Sequence, residues 1–268
     1  MIGVFDSGIG GLTVLRDLSA QLPGYDMLYL GDTARSPYGS KSTETVSRFT
    51  LENVELLLRQ GVRLVVLACH AAAGVAMKRL QATFPVPIFD TVAPTVDIAV
   101  ARSRSLRIGV MADRTTVDCG VFPTMILEAR PEARVFSAAC PLLVPLTEEG
   151  WAKKPLTRMI VKKYLHPLKV RRIDTLILGN PHYTLLSTVI QTKIGRRIQI
   201  VDSAAGVSAR LRRFLAVHPD LDRTLPKSSR IRLVFTDLTL QVEKAVEHIL
   251  KQSLPLESST DIRQLPPT

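Results

Sequence analysis

The chain has 268 residues, is 46% hydrophobic and carries 35 Lys+Arg against 24 Asp+Glu, a formal net charge of +11. That length and apolar content suffice for a substantial core in one large or two small domains and exclude a disordered chain. No run approaches the roughly 20 uninterrupted apolar residues that span a bilayer, and Met1 leads straight into a strand-like run with no basic and apolar leader, so no membrane partner and a cytoplasmic location are expected.

Short apolar runs alternate with helix-period segments, the pattern of parallel sheets covered by helices. Strands are expected at 1–5, 26–30, 63–68, 86–89, 106–111, 133–137, 174–178, 197–201 and 231–235. Helices are expected at 11–21, 42–60, 72–83, 93–102, 115–129, 155–168, 184–194, 203–217 and 238–250. The fold class is α/β, and in such sheets ligands sit at the carboxyl ends of the strands.

Two spacings suggest a duplication. Leu64-Val65-Val66-Leu67-Ala68-Cys69-His70 is echoed by Leu176-Ile177-Leu178-Gly179-Asn180-Pro181-His182, which sets Cys69 and Asn180 111 residues apart. Ile2-Gly3-Val4 is echoed by Ile108-Gly109-Val110 at 106. Two similar α/β domains related by pseudo-two-fold symmetry are therefore expected, residues 1–93 with 205–252 and residues 94–204, with a site at their interface and a loose Pro- and Ser-rich tail at 253–268.

The chemistry-bearing residues collect at the strand ends. Asp6-Ser7-Gly8-Ile9-Gly10-Gly11 follows the first strand with glycines that permit a tight turn and amides near a helix start, although neither a dinucleotide fingerprint nor a phosphate loop is complete. In Gly31-Asp32-Thr33-Ala34-Arg35-Ser36-Pro37-Tyr38-Gly39, the Pro and Gly fix a turn, and Asp32 reads equally as a cap or as a partner of Arg35. Cys69 ends a strand and precedes a helix, where backbone amides favour thiolate; its plainer reading is an inert core thiol. The three cysteines, Cys69, Cys119 and Cys140, lack the spacing of a zinc site or a disulfide scaffold. The basic residues, including Lys162, Lys163, Arg171, Arg172, Arg210, Arg212 and Arg213, read as solvated helix faces.

Taken in order, Asp6-Ser7-Gly8-Ile9-Gly10-Gly11-Leu12, Gly31 to Gly39, Ala68-Cys69, Cys140-Pro141-Leu142-Leu143-Val144-Pro145-Leu146 with Glu148-Glu149-Gly150-Trp151, Asp174 to Gly179, His182-Tyr183 and Val201-Asp202-Ser203 resemble glutamate racemase, of the aspartate/glutamate racemase superfamily. The likeness runs from Ile2 to about Leu215. It implies a racemase that interconverts L- and D-glutamate for peptidoglycan, without pyridoxal phosphate, another cofactor or a metal, on a small amino acid or dicarboxylate held between two α/β domains. In the family two cysteines face the α-carbon from opposite sides, and each alternates as base and acid. The resemblance assigns Cys69 to the first cysteine, which serves the D-enantiomer, and Asp6 to a neighbouring group that assists proton transfer or contacts the amino group. It assigns Ser7, Pro37, Tyr38, Gly39 and Thr116 to substrate binding, and Glu148 and His182 to the second catalytic side.

The departures fall on this machinery. Asn180 and Pro181 stand where the family has Cys and Thr, His70 and Ala71 where it has Asn and Thr, and Asp113 near a usual Thr, so five ligand or catalytic positions have changed together. An amide has no titratable proton near neutral pH, so Asn180 cannot serve as acid and base. Pro181 lacks an N–H and Ala71 lacks a hydroxyl, each a contact removed from a carboxylate. His182 is the better substitute acid, because His70 belongs to the same half as Cys69. Three function classes follow: a racemase with a replaced second acid, a one-thiol enzyme of the same superfamily, decarboxylase-like or one-sided in its proton transfer, and a catalytically silent binding or regulatory paralogue. The family includes members that inhibit DNA gyrase, and a charge of +11 is compatible with a nucleic-acid partner. Oligomeric state is not legible.

Overall fold

The computed structural model of the chain describes residues 1–202, 204–252 and 254–258. Ser203, expected in a helix and a motif, and Ser253 and 259–268 of the expected tail lie outside the described residues. Among the described residues the strands are β1 (Ile2–Asp6), β2 (Met27–Gly31), β3 (Leu64–Leu67), β4 (Ile88–Asp90), β5 (Arg107–Ala112), β6 (Arg134–Ala139), β7 (Thr175–Gly179), β8 (Gln199–Val201), β9 (Ile231–Phe235) and β10 (Leu256–Ser258). They form two sheets, ordered β10-β9-β2-β1-β3-β4 and β6-β5-β7-β8, and every pairing is parallel.

The segment order β2-β1-β3-β4 of the first sheet matches β6-β5-β7-β8 of the second. Ile2-Gly3-Val4 lies in β1 and Ile108-Gly109-Val110 in β5, while Cys69 follows β3 and Asn180 follows β7. The repeat seen in the sequence is thus a repeat of topology, and it delivers a thiol and an amide to corresponding strand ends. Corresponding glycines also pack alike. A Cβ on Gly3 would stand 2.7 Å from Val62 Cγ1, and one on Gly109 would stand 2.5 Å from Ile173 Cδ1.

The central strands are buried along their length, as expected for parallel strands with helices on both faces. One apolar cluster runs through both sheets, joining Phe5, Val65 and Leu67 to Ile108, Val110 and Ile177. Further clusters cover the other face of each sheet. Helix Thr43–Arg59 shows how local sequence makes these layers. Ser42 accepts a hydrogen bond from Thr45 N at 3.3 Å, and Val46, Thr50, Asn53, Val54 and Leu57 recur at helical spacing on the buried side.

Four expectations need correction. The helix expected at 115–129 is two, Arg114–Asp118 and Val121–Ala129, because Gly120 adopts a left-handed φ of 65° between them; Cys119, expected within that helix, caps the end of the first. Residues Leu143–Glu148 and Pro219–Thr224 form short helices that were not expected. The helix expected at 184–194 is a 3-10 turn, Pro181–Leu186, followed by Ser187–Ile194. Within the expected loose tail, Leu256–Ser258 pairs with β9, secured by Glu257 against Arg232 Nη2 at 2.7 Å.

Lys162, Lys163, Arg171, Arg172, Arg210, Arg212 and Arg213 all stand exposed. Among the described residues no helix is long and apolar enough to cross a membrane.

Candidate active site

The carboxyl ends of β1, β3, β5 and β7 converge on a cavity of about 50 Å³. Ser7, Pro37, Tyr38, Gly39, Cys69, Asn180 and His182, all expected site residues, line it together with Ser36, Ser40, Asp113, Pro141 and Val144. Asp6, His70, Ala71, Thr116, Glu148 and Pro181 are not among its lining residues. An outer pocket of about 220 Å³ shares Ser36 and Pro37 with the inner cavity and has Glu148 in its wall.

The loop before the cavity is braced from beneath by Asp32. Its buried carboxylate accepts from Arg35 Nε at 2.7 Å, Asn53 Nδ2 at 2.9 Å, Thr236 Oγ1 at 3.0 Å and the Tyr38 hydroxyl. Of the two readings left open for Asp32, the partner of Arg35 is therefore the one found. Because its hydroxyl is committed to Asp32, Tyr38 meets the cavity with its ring and backbone.

The glycines of the first strand end serve close approach and not a left-handed turn, since none of Gly8, Gly10 and Gly11 has a positive φ. A Cβ on Gly10 would lie 2.3 Å from His182 Nδ1, so a bare backbone is what lets this ring reach the site. Gly39 does the same for Asp113, whose Cβ would be 2.4 Å from an added methyl.

Cys69 precedes helix His70–Thr83, and its Sγ lies 3.5 Å from Ser7 Oγ as donor. The expected thiolate preference of a helix start is overruled here. Burial, with the charge of Asp6, outweighs the Ser7 and Ala72 hydrogen bonds and pushes the thiol up to about 12. Asp6 is itself buried, and burial raises its carboxyl against the opposing charge of His182 and the Gly11 and Gly8 amides. Its Oδ2 accepts from Gly8 N at 3.0 Å. His70 points away from this chemistry: its ring is 1% exposed, packs 5.6 Å from Phe122, and neither nitrogen has a hydrogen-bond partner among the described residues. Burial drives it down to about 3.

On the second-sheet side a continuous hydrogen-bonded chain runs through four side chains. Asn180 Nδ2 donates to Asp113 Oδ2 at 2.9 Å, and Asn180 Oδ1 accepts from His182 N at 2.9 Å and lies 3.1 Å from His182 Nδ1. His182 Nε2 is 3.0 Å from Glu148 Oε1. A backbone N–H can only donate, so the bond from His182 N fixes which end of the Asn180 amide is oxygen. Burial opposes the charged ring of His182, but the hydrogen bond and charge of Glu148, reinforced by Asp6 and Asp113, hold it above the ordinary imidazole range. Pro181 occupies the first position of its 3-10 turn, where a missing N–H leaves no partner unsatisfied.

Asp113 accepts from Thr116 N at 2.8 Å through Oδ1, and burial raises its carboxyl. In the sequence it was visible only as a departure from the family pattern, and its place in the cavity wall was not foreseen. The Thr116 hydroxyl is buried and has no hydrogen-bond partner among the described residues. Cys119 and Cys140 do not line the cavity, and Cys140 Sγ turns away toward Ala138 O at 3.4 Å. Among the described residues no group of three or more His, Cys, Asp or Glu side chains is arranged to hold a metal ion.

Residues 2–209 match the family model for Asp/Glu/hydantoin racemase. A glutamate racemase of Syntrophus aciditrophicus is 42% identical over 255 residues, which cover 95% of this chain and 94% of the relative. Among solved structures, the glutamate racemase of Aquifex pyrophilus superposes with a TM-score of 0.82 at 39% identity, covering 97% of this chain and 98% of that one. The glutamate racemase of Francisella tularensis in complex with D-glutamate superposes with a TM-score of 0.90 at 28% identity, covering 98% of both chains. Two all-parallel sheets in matching strand order, a thiol-bearing cavity at their strand ends, and these likenesses over nearly the whole length agree: the chain belongs to the Asp/Glu racemase family.

Proposed function

We propose that the chain interconverts L- and D-glutamate by proton removal and return at the α-carbon. The observation that carries this reading is a cavity that presents Cys69 from one sheet and a titratable hydrogen-bonded chain, Asp113-Asn180-His182-Glu148, from the other. Cys69 takes the role of base and acid on its face, with Asp6 close by to bias the thiol. Burial keeps the Cys69 thiol protonated at rest, so it is ready as the acid and must lose its proton before it can act as the base. Ser7 and the backbone at Tyr38 and Gly39 supply donors for the substrate's carboxylates. The cationic ring of His182 offsets negative charge that develops on the substrate during proton removal.

The cavity's about 50 Å³ admits a few waters, against the roughly 300 Å³ or more of small-molecule sites, so substrate enters by moving the walls between the outer pocket and the inner cavity. Ser36 and Pro37 line both spaces and so form the wall between them. Two domains, 1–93 with 205–252 and 94–204, are the bodies we assign to that opening.

Loss of the circular-dichroism signal of pure D-glutamate, and separately of pure L-glutamate, tests the reading. The native chain is expected to bring either enantiomer to the racemic mixture, and Cys69→Ala to slow this by about 10²- to 10⁴-fold. An unchanged signal with the native protein counts against the proposal.

A further inference from the structure

We propose that Asp113 is the proton carrier on the face opposite Cys69 and that Asn180 holds it in position, so that a carboxyl and a thiol form the catalytic pair; this rests on the racemase reading above. Asp113 and Cys69 line the same cavity but arrive from different sheets, after β5 and β3 respectively. Asn180 takes the place topologically equivalent to Cys69. It cannot carry a proton, but its amide nitrogen, oriented by the bond from His182 N, lies 2.9 Å from Asp113 Oδ2. The two departures from the family pattern therefore touch one another: the position that lost a thiol now grips a neighbouring position that gained a carboxyl.

The other titratable groups on that side fit the role less well. His182 has Nδ1 engaged by Asn180 Oδ1 and Nε2 engaged by Glu148, so both ring nitrogens are occupied. Glu148 does not line the inner cavity, and Cys140 is turned to Ala138 O. Each carboxylate oxygen of Asp113 accepts one hydrogen bond, from Thr116 N or Asn180 Nδ2, and retains a further lone pair that can bind a proton. Burial favours the protonated form of Asp113, the form that donates, and also that of Cys69, so the pair acts when it holds one proton between the two groups.

The step balances without a further reactant. From D-glutamate, the Cα–H bond breaks as an S–H bond forms on the Cys69 thiolate, and the electron pair stays on the substrate as a carbanion delocalised into its α-carboxylate. The O–H bond of Asp113 then breaks as a new C–H bond forms on the opposite face, leaving Cys69 as thiol and Asp113 as carboxylate. That state is the one that acts on L-glutamate, and the reverse passage restores the first.

The test follows racemisation and α-proton exchange in D2O, by circular dichroism and proton NMR, for the native chain, Asp113→Asn and the double variant Asp113→Asn/Asn180→Cys. Thermal unfolding of each variant confirms folding. In Asp113→Asn, racemisation is expected to fall by about 10²- to 10⁴-fold while Cys69-dependent exchange persists from one enantiomer only, the D form on the family's arrangement. The double variant, which puts a thiol back at the equivalent strand end, is expected to recover inversion. Racemisation by Asp113→Asn within tenfold of the native rate would overturn the assignment, as would equal loss of exchange from both enantiomers in a folded Asp113→Asn. A native chain that exchanges neither enantiomer would instead overturn the racemase reading, and this assignment with it.

Discussion

Asn180, His70 and Asp113 show how differently three departures from one family pattern behave once folded. Asn180 becomes the joint between an acid and an imidazole, Asp113 enters the cavity wall, and His70 turns into the core beside Phe122. That turn has a measurable consequence. A free imidazole titrates near 6.5 and the buried one near 3, so between those values the unfolded chain binds the extra proton. Stability from this site is complete above pH 6.5 and is lost as pH falls toward 3, at up to about 1.4 kcal/mol per pH unit. His70→Leu should remove this share of the acid sensitivity and leave stability at pH 7 equal or higher, because two unpartnered buried nitrogens disappear at a site where each such group costs on the order of 1–3 kcal/mol. Urea unfolding of both proteins at pH 7 and at about pH 4.5 checks it, and an unchanged pH slope in the variant would refute it. The sequence could name Asn180 and His70, which stand in the repeated strand-end run, and Asp113 only as a departure from the family pattern, but not their directions: whether a side chain after a strand faces a cavity or a core depends on a second sheet more than a hundred residues away.

At the scale of elements, the shared strand order makes its own demand on packing. Gly3 and Gly109 occupy corresponding central strands and leave room for Val62 and Ile173, the residues just ahead of β3 and β7. An added methyl at either position overpacks a closed core, typically at a cost of about 1–3 kcal/mol. The two should differ, because both neighbours are β-branched and stiff at χ1 but Val62 meets the new methyl with a Cγ fixed by that torsion, whereas Ile173 meets it with a Cδ1 that can turn about χ2. Gly3→Ala is therefore expected to lower the urea midpoint more than Gly109→Ala, and Val62→Ala to rescue Gly3→Ala in a double-mutant cycle. Equal losses, or no coupling with Val62, would argue against this packing. The strands from β1 to β9 were legible because short apolar runs and turn residues alternate regularly. β10 was not, since three residues after Pro255 show no periodicity and are held by an edge pairing and the Arg232–Glu257 ion pair. Gly120 was hidden in the same way, inside an apolar stretch whose helical period continues across the break.

For the whole molecule, the duplicated sheet order brings corresponding strand ends to one cavity, where Cys69 arrives after β3 and Asn180 after β7. The sheets also meet through specific contacts: Thr115 Oγ1 donates to Lys41 O at 2.8 Å and lies 3.1 Å from Tyr38 O, while His182 packs against the bare backbone of Gly10. These contacts tie the two sheets together around the cavity of about 50 Å³. The most direct test of the account is loss of the α-proton NMR signal in D2O for each pure enantiomer of glutamate, with aspartate as comparison and Cys69→Ala as control. The account predicts that the native chain exchanges both enantiomers of glutamate with inversion and that Cys69→Ala abolishes inversion. Exchange of one enantiomer without inversion, or no exchange of either, would contradict it.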